Sequence, residues 1–336
     1  MERNYCRLIA LGFLVILGAC GSSQEEDTQA SIISYENIPA PKRNLMTDER
    51  VALGKMLFHD KSLSGNGKVA CVDCHEQHYA FGENMALSTN GITQEPLHRN
   101  TPPLINIAWA EGWFWEGGAK NIESLMFGPL THPNEMGANL KEVVKDINDH
   151  PEYPVLFQKA YQIKTIKSAH IARALAAYCR SLISNQSKYD QYLNGEIDFS
   201  YDELQGMKIV ETRCGSCHPA PFFTDFNYHN IGLDSVFSDT LENLFQGRAR
   251  ITLKEEDMGK YKTPTLRNIF ASAPYTHDGR FETIDEVFDH YESGILPHKS
   301  LAPQMRNDID LNEEEREQVK IFLTTLMDST YLGLKQ

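Results

Sequence analysis

Residues 71–75 read Cys-Val-Asp-Cys-His, and residues 214–218 repeat the pattern as Cys-Gly-Ser-Cys-His, with one copy in each half of the chain. The spacing C-x-x-C-H is typical of covalent haem attachment, because two thiols bond the porphyrin vinyl groups and the adjacent histidine reaches the iron from the same short turn. The sequence therefore predicts two haem c groups. The residues expected to hold them are Cys71, Cys74, His75, Cys214, Cys217 and His218.

Two other interpretations of the cysteine pairs are weaker. A disulfide framework suits small exported domains, whereas a chain of 336 residues can build a core without it. A zinc site needs four ligands brought together, and that geometry leaves the histidine after each pair unexplained. A further cysteine, Cys179, lies in an apolar run with helical spacing and is expected to be a buried free thiol.

The first 20 residues have the pattern of an export signal. Two arginines precede a short apolar run over residues 8–17, and Leu17-Gly18-Ala19-Cys20 resembles a bacterial lipobox. We therefore expect a lipoprotein signal peptide over 1–20, a lipid on Cys20 and a flexible tether over 21–36. The expected location is the periplasm, with the protein anchored to a membrane by its lipid. Simple cleavage to a soluble product is the alternative.

The charge balance excludes one class of partner. The chain has 32 Lys and Arg residues against 46 Asp and Glu residues, which gives a formal net charge of -14 at pH 7. This charge repels phosphate backbones, so nucleic-acid binding is not expected. After the first 20 residues, no stretch is long and apolar enough to span a bilayer.

The length favours two domains, and the hydrophobic pattern is mainly helical, with little strand-like alternation. Residues 84–103 and 130–138 are rich in Gly, Pro and Asn and are expected to form long loops. The predicted fold is all-α, with two cytochrome c-like haem domains at 37–195 and 196–336. Helices are predicted at Thr47–Phe58, Leu140–Ile147, Ile166–Leu182, Asp202–Val210 and Asp310–Met327.

Further stretches, spread in order along the chain, carry a family resemblance. On these stretches the chain resembles the bacterial dihaem cytochrome c peroxidases and the related MauG (methylamine-utilisation) dihaem enzymes. The matching stretches are Leu53-Gly54-Lys55-Met56-Leu57-Phe58, Arg99-Asn100-Thr101-Pro102-Pro103, Phe114-Trp115-Glu116-Gly117, Asn134-Glu135-Met136-Gly137, residues 262–268 (Lys-Thr-Pro-Thr-Leu-Arg-Asn) and residues 273–279 (Ala-Pro-Tyr-Thr-His-Asp-Gly).

The resemblance implies different roles for the two haems. The first haem, at His75, is similar to the peroxidatic haem of the family. Glu135 matches the distal carboxylate that moves a proton between the two peroxide oxygens. Trp115 matches an aromatic residue that relays electrons between the haems. The second haem, at His218, is similar to the electron-accepting haem.

The resemblance also implies a second axial ligand for the second haem. Tyr291 stands where the peroxidases have a methionine and where the MauG branch has a tyrosine. A phenolate oxygen favours ferric iron and lowers the reduction potential relative to a thioether. The adjacent His290 is an alternative ligand, and Met258 and Met305 are weaker candidates.

Several departures from the family pattern concern the first haem. Peroxidases that need reductive activation carry a removable distal histidine in the loop after the first motif, and residues 87–92 contain none. The first haem is therefore expected to be open without activation. Leu125 and Gly118 stand near positions where the family usually has Gln and Arg, so a more apolar distal pocket is expected.

A calcium ion and a homodimer are also implied by the resemblance. Asn100, Ser272 and Pro274 match positions that bind an interdomain calcium, largely through carbonyl oxygens, as a hard cation prefers. Family members commonly form homodimers.

Three functions compete. The first is a peroxidase that reduces hydrogen peroxide to water with electrons from a small cytochrome c or a cupredoxin. The second is a MauG-like oxidase that acts on a protein substrate, which Tyr291 favours. The third is a plain electron-transfer cytochrome with both irons blocked, against which Glu135 and the missing distal histidine argue.

Overall fold

The computed structural model describes residues 33–237, 244–306 and 309–333. The predicted signal peptide, the lipid-bearing Cys20 and most of the predicted tether lie outside the described residues. Within the described ranges, no helix is both long and apolar enough to cross a bilayer.

Helices are the main secondary structure of the described chain, as the sequence predicts. The α-helices are α1 (Asp48–Phe58), α2 (Ile122–Leu125), α3 (Phe127–Thr131), α4 (Leu140–Asp149), α5 (Tyr153–Tyr161), α6 (Ser168–Arg180), α7 (Lys188–Leu193), α8 (Tyr201–Ile209), α9 (Ala249–Thr252), α10 (Ile284–Asp289), α11 (Glu313–Thr325) and α12 (Ser329–Leu332). The five predicted helices are confirmed as α1, α4, α6, α8 and α11. Two short antiparallel strands, β1 (Tyr228–His229) and β2 (Tyr261–Lys262), pair with each other.

Helix α1 begins where its sequence predicts. The Thr47 hydroxyl accepts a hydrogen bond from the backbone N–H of Arg50 at 3.3 Å, and the acidic Asp48 and Glu49 occupy the first turn, where the helix dipole favours negative charge. Only one half of a capping box forms here, because the residue that would return the bond is Arg50 and not a glutamate.

A glycine lets two helices approach closely in each half of the chain. A Cβ atom at Gly54 of α1 would lie 2.0 Å from the Ala174 carbonyl oxygen of α6. A Cβ atom at Gly206 of α8 would likewise lie 2.0 Å from the Gln318 carbonyl oxygen of α11. Each helix pair therefore depends on a residue without a side chain at its crossing point.

Two apolar clusters form the main cores. The first contains buried residues between Leu53 and Leu182, and the second contains buried residues between Tyr189 and Leu326. Cys71 packs against the first cluster and Cys214 against the second, so each cluster adjoins one C-x-x-C-H turn. The domain boundary predicted between residues 195 and 196 stays a prediction, and Tyr189, before it in sequence, packs in the second cluster.

A buried ion pair joins α7 to a later loop. The guanidinium of Arg267, which is 0% exposed, donates two hydrogen bonds to the Asp190 carboxylate, at 2.9 and 2.7 Å. Its Nε donates to the Pro221 carbonyl oxygen at 2.8 Å. Asp190 also accepts from the Ser187 hydroxyl at 2.6 Å. The pair therefore fixes the segment that precedes the second half of the chain.

Asp190→Ala is expected to lower the free energy of unfolding by about 3–5 kcal/mol, because it leaves the Arg267 charge buried without its partner. Denaturant titration of the haem-loaded protein measures this loss. Asp198→Ala removes an exposed carboxylate nearby in sequence and is the matched control, with an expected change within about 0.5 kcal/mol. Equal stability of the two variants would contradict the importance of the pair.

Candidate dihaem site

The two C-x-x-C-H segments adopt similar turns. The backbone N–H of His75 donates to the Cys71 carbonyl at 3.0 Å, and that of His218 donates to the Cys214 carbonyl at 2.9 Å. In the described part of the chain, Cys71, Cys74, Cys214 and Cys217 are all free thiols, as is the buried Cys179 on α6. The described residues also contain no group of three or more His, Cys, Asp or Glu side chains placed to hold a metal ion.

Both motif histidines are oriented in the same way. The Nδ1 atom of His75 donates to the Phe81 carbonyl at 2.7 Å, and the Nδ1 atom of His218 donates to the Phe223 carbonyl at 3.0 Å. Because a carbonyl oxygen only accepts, this bond places the proton on Nδ1 and the lone pair on Nε2, which is the form that ligates iron. Burial lowers the pKa of His75 to about 4 and also lowers that of His218, so both rings are neutral at pH 7. The two turns fit a covalently bound haem in each half.

Glu135 lies beside the first turn. Its backbone N–H donates to the His132 carbonyl at 3.1 Å, and its carbonyl accepts from the Ile92 N–H at 2.8 Å, so the loop that carries it is held at both ends. The carboxylate is close enough to Cys71 and Cys74 for its charge to raise the pKa of both thiols. Burial raises the pKa of Glu135 to about 7, although a third of its side chain is exposed.

Trp115 is buried and is fixed by contacts from both halves of the chain. Its indole Nε1 donates to the Asn100 carbonyl at 2.8 Å, and its own carbonyl accepts from the Lys262 N–H of β2 at 2.8 Å. The Lys262 ammonium donates to the Gly112 carbonyl at 2.7 Å. The Trp115 ring is therefore held in one orientation.

The β1–β2 pair connects the Trp115 loop to the second turn, and no sequence pattern predicts it. His229 of β1 donates from Nε2 to the Asp225 carboxylate at 2.7 Å and also hydrogen-bonds the Cys217 thiol. The Asp225 contact raises the pKa of His229 to about 9. Tyr261 of β2 stacks on His277 with a ring distance of 3.5 Å.

Tyr291 and His290, the two alternative ligands predicted for the second haem, lie in one π-helical turn, His290–Gly294. The Nε2 atom of His290 donates to the Ile231 carbonyl at 2.9 Å, so that nitrogen is engaged away from the thiols. Burial raises the pKa of Tyr291, and the nearby Cys214 and Cys217 raise it further. Tyr291 therefore lies beside the second turn. Met305 is buried, whereas Met258 is partly exposed.

Asn100, one of the three residues predicted to bind calcium, contacts the segment that follows the other two, Ser272 and Pro274. The Asn100 side-chain amide donates to the carbonyls of Met85 and Ala86, at 3.1 and 3.2 Å, and its backbone N–H donates to the His277 carbonyl at 2.9 Å. His277 follows shortly after Pro274, and the Ser272 hydroxyl donates to the Ile269 carbonyl at 3.1 Å. These contacts place Asn100 beside the segment that carries Pro274.

One buried carboxylate near the first turn was missed by sequence reasoning. Glu83 is 3% exposed and accepts hydrogen bonds from the loop that follows the first motif. Its partners are scattered between positions 88 and 101, so only the folded structure brings them together.

Leu125, where the family usually has a polar residue, is buried in the first apolar cluster.

Comparisons with known proteins identify the family to which the chain belongs. Residues 48–198 match the family described as di-haem cytochrome c peroxidase. The chain is 33% identical to the methylamine utilization protein MauG of Methylorubrum extorquens, over 87% of this chain and 82% of that protein. It is 28% identical to the cytochrome c551 peroxidase of Nitrosomonas europaea, over 82% of this chain and 78% of that protein.

A similar solved structure is that of a MauG-like protein associated with microbial copper homeostasis. The two chains superpose with a TM-score of 0.81 at 31% identity, over 90% of this chain and 96% of that one.

Proposed function

Because the chain belongs to the family of dihaem cytochrome c peroxidases and MauG enzymes, we propose that it reduces hydrogen peroxide to water with electrons from a small cytochrome c or a cupredoxin. The balanced reaction takes one peroxide, two electrons and two protons to two waters. The observation that carries the proposal is the position of Glu135, beside the first C-x-x-C-H turn and with a pKa of about 7.

When bound, the haems supply two irons that exchange electrons, and the first offers a coordination position for peroxide. The chain supplies the attachment thiols and the neutral imidazoles of His75 and His218, whose Nδ1–H bonds to carbonyl oxygens hold each ring in place. Residues 87–92 carry no histidine, which supports a first site that is open without reductive activation.

Glu135 is the proposed proton shuttle of the first site. A general acid–base group works best when its pKa lies near the working pH, and burial brings the pKa of this carboxyl to about 7. Near neutral pH, Glu135 can therefore accept a proton from the inner peroxide oxygen and return it to the outer one.

Trp115 is the proposed relay between the sites. Its two hydrogen bonds, from Nε1 to Asn100 and from Lys262 to its carbonyl, fix the indole between segments of the first and second halves of the chain. A fixed aromatic ring divides the distance that an electron must cross into shorter steps. The electrons would enter at the His218 site and leave at the His75 site.

Tyr291→Phe is expected to change the absorption and paramagnetic resonance spectra of the second haem, because Tyr291 lies beside Cys214 and Cys217 and is the proposed second axial ligand. Loss of a phenolate ligand also raises the reduction potential of that haem. His290→Gln is the matched control, since His290 bonds the Ile231 carbonyl, and its spectrum should match wild type. An unchanged spectrum in Tyr291→Phe would rule out ligation by this residue.

A MauG-like oxidation of a protein substrate is the second candidate function. The position of Tyr291 and the identity to MauG proteins favour it. Steady-state peroxide consumption with reduced cytochrome c or cupredoxin separates the two functions. Rapid donor oxidation supports the peroxidase, whereas a peroxide reaction that no small donor accelerates supports the oxidase.

The remaining features are proposals that rest on the sequence. They are a periplasmic location with a lipid on Cys20, separate haem domains at 37–195 and 196–336, and a homodimer. Calcium at Asn100, Ser272 and Pro274 is a further proposal, which the contact between the Asn100 N–H and the His277 carbonyl supports. Metal analysis of the purified protein before and after chelation tests the calcium proposal.

A further inference from the structure

Glu83 is a buried carboxylate that no step proposed above uses. It accepts hydrogen bonds from the Ser88 hydroxyl at 3.0 Å, the Asn90 side-chain amide at 2.6 Å and the Thr101 hydroxyl at 3.0 Å. All three donors are neutral, and within the described ranges Glu83 forms no ion pair. A buried carboxylate without a basic partner is costly, so its retention calls for a physical reason.

The hydrogen bonds that Ser88 and Asn90 donate to Glu83 connect it to the first haem-attachment turn. The Ser88 hydroxyl that donates to Glu83 also lies 3.4 Å from the Cys74 sulfur, so one hydroxyl group separates the carboxylate from that sulfur. The Asn90 amide that donates to Glu83 also donates to the Asp73 carbonyl at 2.9 Å. Glu83 therefore ties the turn that holds Cys74 to the loop that follows it.

The hydrogen bond that Thr101 donates to Glu83 connects it to Asn100, whose carbonyl anchors the Trp115 indole. Thr101 donates to Glu83 and directly follows Asn100, whose carbonyl accepts the Trp115 indole N–H. One carboxylate thus fixes two elements at once, the attachment turn of the first haem and the segment that orients the proposed relay.

The charge of this carboxylate also acts on the first site. Burial raises the pKa of Glu83, and the three hydrogen bonds to its oxygens oppose that rise because they stabilise the ionised form. The charge is close enough to raise the pKa of the Cys74 thiol, and Coulomb interactions are stronger in a partly dehydrated interior than in water. A negative charge near a bound haem would stabilise ferric over ferrous iron.

We propose that Glu83 is a positioning residue of the first haem site, which locks the Cys74 turn to the Trp115 anchor and lowers the reduction potential of the first haem. The inference rests on the haem at His75 that the proposed function assigns, and it does not require the peroxide reaction.

The test is spectroelectrochemical titration of the haem-loaded full chain, without peroxide, for wild type and Glu83→Gln. The amide keeps the size of the side chain and removes its charge. We expect the midpoint potential of the first haem to rise and that of the second haem to stay at its wild-type value. Glu83→Asp keeps the charge and should restore a potential close to wild type. Glu95→Gln removes an exposed carboxylate in the same region and should shift neither haem.

Unchanged potentials in Glu83→Gln would overturn the proposal, and so would equal shifts in both haems, which would indicate a general loss of structure. Where Glu83→Gln does not accumulate with two haems, Ser88→Ala provides the test. It removes the hydroxyl between the carboxylate and Cys74, and we expect a smaller rise confined to the first haem; no rise would overturn the proposal. Absence of haem from the wild-type chain would instead contradict the proposed function.

Discussion

Glu135→Gln is expected to slow peroxide turnover by about 10²–10⁴-fold, which is the usual contribution of a positioned acid–base group. The amide has nearly the shape of the carboxyl but cannot carry a proton between the two peroxide oxygens. The loop should keep its structure, because backbone hydrogen bonds to His132 and Ile92 hold it, and the Glu135 side chain adds only a 3.6 Å contact with the His132 ring. Stopped-flow mixing of the ferric protein with peroxide measures the effect on the first step.

The pH dependence gives the same prediction a second readout. The raised pKa of about 7 means that Glu135 is protonated below pH 7 and ionised above it. Because the base form must be present to accept a proton, kcat/KM for peroxide should rise as the pH increases through about 7 and then level off. In Glu135→Gln this rise of kcat/KM with pH should be absent. Glu142 is an exposed glutamate on α4, and the control variant Glu142→Gln should keep both the wild-type rate and the rise with pH. Wild-type turnover in Glu135→Gln would remove this residue from the mechanism.

Cys71→Ser combined with Cys74→Ser is expected to reduce the covalent haem content from two per chain to one and to abolish peroxide turnover. The serine hydroxyl cannot form the thioether bond, and His75 alone then holds the first haem only by coordination. The second haem should keep its spectrum, because its turn packs in a separate apolar cluster.

Haem quantitation after denaturation measures the covalent content. Cys179→Ser is the matched control, since this buried thiol lies on α6, outside both motifs, and the variant should keep two haems. Two covalent haems in the double variant would contradict the assignment of the first motif.

The parts of the fold that were predictable from sequence depend on neighbours along the chain. Helices α6 and α11 follow from periodic apolar residues, and Thr47 marks the start of α1 through its hydrogen bond to Arg50. The haem-attachment turns were also predictable, because the two thiols and the histidine of each turn lie within five consecutive residues.

Other features depend on contacts between distant residues and could not be predicted. Strands β1 and β2 have two residues each, too few for an alternating pattern, and form where Lys262 meets Trp115. The sequence does not decide between Tyr291 and His290 as ligand of the second haem, since the two residues are adjacent. In the structure their side chains have different surroundings, because the carbonyl of Ile231, far away in sequence, bonds the His290 ring. The three donors to Glu83 likewise come together only on folding.

We propose that the two haem sites are unequal, with the first open to peroxide and the second blocked by a side chain. Paramagnetic resonance of the resting ferric protein, recorded before and after one equivalent of hydrogen peroxide, is the test. We expect one high-spin and one low-spin signal at rest. In the wild type the high-spin signal should be lost on peroxide addition, and in Glu135→Gln it should be retained far longer. Two low-spin signals that do not respond to peroxide would contradict it.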